Sequence, residues 1–274
     1  MAITPPANTT RRARYGAWAV ITGASDGIGR AFAQRLAQDG LNLVLVARRA
    51  DRLEALAAEL RQRHGIQTRV LPADLAHPDA VQRVLDDTAD LEVGLLVACA
   101  GYGTTGTVID SDAQAERNML MVNGLAVLTM AQHYGRRFAQ QKRGGIILMG
   151  SLLGFQGVPL SANYAATKAY VQSLAEGLHH ELAPYGVHVL SSAPGPTHTG
   201  FADRANMQMG GADQPEQVAD RTLAALGKTI TIRPGNLARL LGWGLGMLPR
   251  RLRSRVLGGI MSGMMRPSPQ HPAS

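Results

Sequence analysis

Four short strand-like runs, mostly apolar, each followed by a polar turn and then helix-spaced residues, constrain this chain more than anything else in its first hundred positions. They are Ala17–Thr22, Leu41–Ala47, Ile66–Leu71 and Val93–Cys99. Between them, Ile28–Gln38, Asp51–His64 and Pro78–Asp87 carry apolar residues at helical spacing, as in Leu53, Leu56 and Leu60. Strands that are apolar on both faces suit a parallel sheet covered by helices on either side. The alternation continues with a long helix over Ala113–Gln140, broken near Gly124, and a strand at Gly145–Met149. A helix at Ala162–Leu182, a strand at Val187–Ser191, a proline-initiated helix at Pro215–Leu226 and a strand at Thr229–Ile232 complete it. Ala193–Asp213 has turn residues and no strong period, which predicts a long loop with at most short helices, of the kind that covers a site.

The first strand runs into Thr22-Gly23-Ala24-Ser25-Asp26-Gly27-Ile28-Gly29 and then a helix. In that context Gly23 permits a tight turn, Gly27 lets backbone approach a pyrophosphate and Gly29 lets helix pack on strand. The helix amino terminus adds unpaired N–H groups and positive potential. The fold class expected is α/β, a doubly wound Rossmann-type three-layer sandwich with a mostly parallel seven-stranded sheet. One domain fits the length: a tail over 1–14, a catalytic domain over 15–236 with a lid near 193–213, and an extension over 237–274, disordered after about 266.

A reader of NAD places an acid at the end of the second strand for the ribose hydroxyls. Here the strand ends in Arg48-Arg49, whose guanidiniums suit a 2′-phosphate, so NADP(H) is expected over NAD(H). The alternative is that one or both arginines are solvated charges. Asp51 fits best as the cap of the following helix.

Ser151 follows the fifth strand, and Tyr164 and Lys168 lie one helical turn apart on one face of one helix. Carbonyl reduction needs such a trio, because the developing alkoxide must be held and protonated. A neighbouring ammonium lowers a tyrosine's pKa, and Lys168 is one of only three lysines beside 25 arginines. Ser151 donates to the same oxygen in this reading.

These residues resemble the short-chain dehydrogenase/reductase family. The match comprises the Thr22–Gly29 turn, Asp74-Leu75, Ala100-Gly101, Asn123, Ser151, Tyr164 with Lys168, and Pro194-Gly195 through Thr199, in the family's order over roughly residues 17–200. The resemblance implies hydride transfer with NAD(P)(H) and a homodimer or homotetramer. It implies catalytic roles for Tyr164, Lys168, Ser151 and Asn123, the last holding a water in a proton relay to Lys168. It implies cofactor contacts from Thr22, Gly23, Ser25, Gly27, Ile28, Gly29, Arg48, Arg49, Asp74 (on the adenine amino group), Leu75, Ala100, Gly101, Tyr164, Lys168, Pro194, Gly195, Thr197 and Thr199. Read from the residues alone, Asn123 could instead stitch strands, Asp74 cap a turn and Thr199 be a plain loop residue.

Two departures stand out. Ala98-Cys99-Ala100-Gly101 replaces an asparagine-rich segment, removing a scaffold hydrogen bond and hence local rigidity rather than chemistry. Asp26 puts a carboxylate near a phosphate cradle, unfavourable unless it points away or caps the helix. Asp26 with Arg48-Arg49 is similar to the branch of ketoacyl-thioester and 17β-hydroxysteroid reductases. The function expected is NADPH-dependent reduction of a ketone or aldehyde, of medium to large apolar substrates. An NAD-dependent alcohol dehydrogenase and a non-catalytic nucleotide-binding protein are the alternatives. Tyr102, His198, Phe201, Met207 and Met209 are the candidate pocket walls.

The net charge of +8 resides at the carboxyl end, where no acid follows Asp220 and nine basic residues do. With few aromatic residues and no nucleic-acid-binding motif, nucleic acid is not an expected partner. Leu237–Met265 alternates apolar runs with Arg250, Arg251, Arg253 and Arg255, too broken by Gly242, Gly244, Gly246 and Pro249 to span a bilayer. A cover over the substrate entrance, a subunit contact and a peripheral membrane contact remain open for it. The single Cys99 and the absence of a signal-like segment point to a cytoplasmic protein. His133, His179, His180 and His188 lack ligand spacing, so no metal is expected.

Overall fold

The computed structural model describes residues 8–205, 207, 212–235, 238, 239, 244 and 247–264. Seven parallel strands, β1 (Trp18–Thr22), β2 (Asn42–Ala47), β3 (Thr68–Pro72), β4 (Val93–Ala98), β5 (Gly144–Met149), β6 (Val187–Ser192) and β7 (Thr231–Ile232), form one sheet in the order β3-β2-β1-β4-β5-β6-β7. The sheet is the expected doubly wound one. Its order reverses between β1 and β4, and the crevice beyond the strand ends at such a point is where ligands of this architecture bind.

Alternate strand residues feed two cores. Ala19, Ile21, Leu43, Leu45, Leu95 and Val97 pack with α2 (Gly27–Gln38), α3 (Ala50–His64) and α9 (Pro215–Ala225). Val20, Val44, Val46, Leu96, Ile146 and Leu148 pack on the other face with α4 (Pro78–Asp86), α6 (Ala126–Gln141) and α7 (Ala162–Leu182). Each fully buried aliphatic side chain contributes about 1.5–3 kcal/mol. That two-sided burial is why the strands read as continuous apolar runs rather than as alternating ones.

The helix expected over 113–140 is three pieces: α5 (Ala113–Leu120), a wider π-helical turn (Met121–Leu125) and α6. The break lies where Gly124 predicts it and contains the buried Asn123. Residues 8–15, expected within a loose tail up to 14, form a helix, α1 (Asn8–Tyr15). Tertiary contacts hold it. Tyr15 is buried with its hydroxyl 3.0 Å from His188 Nδ1, Arg12 donates to the Gly40 carbonyl at 2.6 Å, and Arg11 pairs with Asp39. Residues 1–7 and the segment after 266 lie outside the described residues, as do most positions from 240 to 246. The lid contains α8 (Phe201–Arg204), and the extension contains α10 (Arg250–Met264). Among the described residues no helix is long and apolar enough to cross a membrane.

Candidate active site

At the carboxyl ends of β1, β4 and β5 lies a cavity of about 340 Å³ that runs from the glycine turn to α10. At one end Gly23 turns with a φ of +69°, and a Cβ on Gly29 would stand 2.3 Å from the Gly23 carbonyl oxygen. A Cβ on Gly27 would meet the Thr199 methyl at 2.5 Å. The turn is therefore closed to side chains and presents backbone to the cavity, alongside Ser25 and Ile28. Asp26 caps α2, its Oδ1 accepting from Gly27 N at 2.8 Å. Its Oδ2 pairs with Arg49 at 3.2 Å and Arg52 at 3.6 Å. The carboxylate is thus neutralised at the cradle, as the capping alternative requires.

Arg49 also donates to Ser25 Oγ at 3.1 Å, which places its guanidinium beside the turn, while Arg48 is exposed at the same cavity wall. The helix after them starts one residue earlier than expected. Arg49 holds the cap position, with no side-chain cap bond, and Asp51 lies inside the first turn. A carboxylate there still meets the positive end of the helix. Asp74, Leu75, Ala100, Gly101, Pro194, Gly195, Thr197 and Thr199 line the cavity. Asp74 Oδ1 also accepts from Ala76 N at 3.1 Å, the turn-capping bond that was its alternative. These residues fit a dinucleotide: a backbone cradle for a pyrophosphate, an acid beside it and guanidiniums where a 2′-phosphate would lie.

Thr22 is placed differently from the expectation. It is buried and absent from the cavity wall, and its hydroxyl accepts from Cys99 N at 3.0 Å and Ala100 N at 2.9 Å. Those two bonds tie the end of β1 to the end of β4. They supply the rigidity that the loss of an asparagine at this segment was expected to remove.

Ser151 follows β5 and caps a 3-10 turn, Leu152–Phe155, its Oγ accepting from Leu153 N at 3.2 Å. Gly154 allows that turn to press onto α7, since a Cβ would come within 2.7 Å of the Lys168 carbonyl oxygen. Sequence reasoning missed this glycine. Ser151 and Tyr164 meet in the cavity, joined by a side-chain hydrogen bond. Burial pushes the Tyr164 phenol up to about 12, and the bond from Ser151 only partly offsets it. Lys168 lies behind, with its Nζ 5.7 Å from the Tyr164 ring centroid and donating to the Met149 carbonyl at 2.8 Å. Burial lowers its pKa from 10.5 to about 8. The expected lowering of the phenol by Lys168 is therefore not what this arrangement gives: desolvation dominates both groups.

Asn123 is fully buried behind the wall. Its Nδ2 donates to the Tyr102 carbonyl at 2.8 Å and to Thr167 Oγ1 at 3.1 Å, and its Oδ1 accepts from Tyr102 N at 3.2 Å. The side chain stitches the loop after β4 to α7, rather than two strands to each other. Its Oδ1 and Lys168 Nζ both lie against Gly101.

Beyond Tyr164 the cavity turns apolar. Phe201 packs on the Tyr164 ring with centroids 5.4 Å apart. Leu257 and Met261 of α10 join Val158, Ala165, Ala205 and Met207 in a separate core cluster. Tyr102, Phe201 and Met207 are walls as expected; His198 is not among the lining residues, and Met209 lies outside the described residues. The contribution of α10 follows from the helical spacing of Leu257, Met261 and Met264, although nothing in that spacing indicates which surface it covers. Among the described residues no His, Cys, Asp and Glu cluster could hold a metal. His179 and His188 bond to the Val189 carbonyl and the Tyr15 hydroxyl, each at 3.0 Å.

This geometry agrees with the likeness to known proteins. The chain is 32% identical over 237 residues to the 7beta-hydroxysteroid dehydrogenase of Collinsella aerofaciens, covering 82% of this chain and 88% of the relative. It is 37% identical over 187 residues to a very-long-chain 3-oxoacyl-CoA reductase of Podospora anserina, covering 66% of this chain and 55% of that one. The structure of a short-chain dehydrogenase from Sphingobium yanoikuyae in complex with NADPH superposes with a TM-score of 0.77 at 31% identity, over 93% of this chain and 98% of that one. The short chain dehydrogenase family matches residues 17–210. The chain belongs to that family, as an oxidoreductase of alcohol and carbonyl groups.

Proposed function

We propose that the chain is an NADPH-dependent reductase of a medium to large apolar ketone or aldehyde. The observation that carries this reading is one continuous cavity. It has the glycine turn and Arg48 at one end, Ser151 and Tyr164 in the middle, and Phe201, Met207, Leu257 and Met261 at the other. The names of two relatives, a hydroxysteroid dehydrogenase and a very-long-chain oxoacyl-CoA reductase, denote bulky apolar substrates of the same kind.

Bound along the turn, the cofactor supplies a hydride to the carbonyl carbon. Every other task falls to the chain. Ser151 and Tyr164 hold the carbonyl oxygen, and Tyr164 gives it a proton as negative charge develops. A phenol held at about 12 keeps its proton at neutral pH, so the resting group is in the protonated form that reduction needs. Lys168 holds a positive charge behind the phenolate so formed, and Asn123 fixes the loop against α7. Apolar walls exclude water around the reacting oxygen and strengthen both interactions.

Met261→Ala should raise KM for a long or polycyclic ketone by roughly tenfold, with little change for a short one, because only the larger substrate reaches α10. An equal effect on both would remove α10 from the substrate site. Outward, α10 exposes Leu252 and Val256 one turn apart beside Arg250, Arg251 and Arg255, and Ile260, a turn further on, is exposed at the rim of the cavity. An apolar ridge edged by guanidiniums suits an anionic bilayer surface. Co-sedimentation with anionic vesicles should occur at low salt and fade at high salt; its absence at low salt leaves α10 as a cover alone. A homodimer or homotetramer belongs to the same reading, with Leu120, Leu125, Leu128 and Tyr170 exposed for a second copy to cover. A monomer in light scattering would remove that part.

A further inference from the structure

Arg204 closes the lid helix α8, and its side chain is exposed at the wall of the same cavity as Arg48 and Arg49. The stem of the lid stands on the glycine turn. Thr199 presses its methyl against Gly27, and Gly200 lies so close to Asp26 that a Cβ would be 2.8 Å from Oδ2. Arg204 follows Gly200 by one helical turn, its N–H donating to the Gly200 carbonyl at 3.3 Å. The guanidinium is therefore delivered to the rim where β2 ends. Partial desolvation at the cavity wall and repulsion from Arg48 and Arg49 press its pKa down, with Asp26 and Tyr102 opposing them. Tyr102 feels Arg48 and Arg204 together, which places all three around one end of the cavity.

Arg48, Arg49 and Arg204 thus line one part of the cavity beside Asp26, a carboxylate already paired with Arg49 and Arg52. Neither Arg48 nor Arg204 makes a side-chain hydrogen bond or ion pair with a described residue. Clustered like charges of this kind call for a multivalent anion. Residues on both sides of Arg204 in the lid belong to the substrate wall. Phe201 packs on Tyr164, while Ala205 and Met207 join Leu257 and Met261, and Thr105 Oγ1 donates to the Ala205 carbonyl at 2.6 Å.

We propose that Arg204 is a third partner of the cofactor's 2′-phosphate, carried on the lid, so that NADPH and not NADH draws α8 down and sets the substrate wall formed by Phe201, Ala205 and Met207. The inference rests on the reading of NADP(H) as the cofactor. It adds that cofactor choice and substrate binding are coupled through one helix, a coupling that must be reciprocal.

The test uses the full chain, with NADPH and NADH affinities measured by nicotinamide fluorescence for wild type, Arg204→Gln and Arg48→Gln. Hydrogen exchange of the amides of residues 200–205 is followed with each cofactor. Arg204→Gln should weaken NADPH binding about tenfold while leaving NADH within about twofold, as expected for loss of one charge-assisted contact to the phosphate. NADPH, but not NADH, should slow exchange of α8 in the wild type, and that protection should vanish in Arg204→Gln. Wild-type affinity for NADPH in Arg204→Gln, with Arg48→Gln weakened, would overturn the lid role and leave the NADP(H) reading standing. Equal wild-type affinity for the two cofactors would overturn both. Equal weakening of NADPH and NADH in Arg204→Gln would make Arg204 a general support of the lid and overturn the phosphate contact.

Discussion

Replacing Lys168 by methionine should abolish a rise in stability that the wild-type protein shows as pH increases from about 8 towards 10.5. Lys168 is only 6% exposed, and its burial lowers its pKa from 10.5 to about 8. Between those values the unfolded chain carries a proton that the folded protein has lost. Unfolding then takes up a proton and becomes less favourable as pH rises. A depression of that size corresponds to about 3 kcal/mol when fully expressed. Methionine fills the same space and does not titrate. It also removes the bond to the Met149 carbonyl, an offset of roughly 1–3 kcal/mol that does not vary with pH. Urea unfolding of both proteins at one fixed concentration, from pH 7 to 10, should show wild type gaining roughly 2–3 kcal/mol on the variant. Tyr164, held at about 12, titrates alike in both and cancels from the difference. Parallel stability curves across that window would refute the claim that Lys168 is held in the interior at a desolvation cost.

Other substitutions probe the cradle. Arg48→Asp should shift the ratio of kcat/KM for NADPH over NADH towards NADH by roughly 1.5–3 kcal/mol, the cost of a lost charge-assisted bond; an unchanged ratio would place Arg48 in solvent. Thr22→Val keeps the volume but leaves the Cys99 and Ala100 amides without their acceptor. It should lower the unfolding free energy by about 2–4 kcal/mol in denaturant titration, and a change below about 0.5 kcal/mol would deny it the stitching role.

The sheet was legible because both of its faces are buried, which leaves strands such as Leu41–Ala47 nearly free of polar residues. The trio of Ser151, Tyr164 and Lys168 was legible from spacing, since residues four apart share a helix face. What sequence could not give was burial, which decided the electrostatics: a nearby ammonium lowers a phenol's pKa in water, yet desolvation raises it here. α1 was hidden for a related reason. Its eight residues have little intrinsic reason to be helical, and their anchors are Tyr15 in the core and Arg11 and Arg12 on the α2–β2 connection. The Asp51 cap was misjudged by one local preference, whereas the helix start is set where the chain leaves β2 beside the Asp26–Arg49 pair. α10 showed its apolar spacing but not its target, because the surface that receives it, Val158 and Ala165 with the lid, is assembled from distant segments.

The central claim is that Tyr164 delivers the proton to a carbonyl oxygen held by Ser151 while NADPH is consumed. Its most direct measurement is NADPH oxidation by wild type and Tyr164→Phe with a bulky apolar ketone, alongside NADPH affinity by fluorescence. The account predicts a folded variant that binds NADPH as wild type does and loses at least about a hundredfold in kcat, the usual contribution of a positioned acid. A Tyr164→Phe enzyme retaining more than about a tenth of wild-type kcat, well above what loss of such an acid allows, would contradict it.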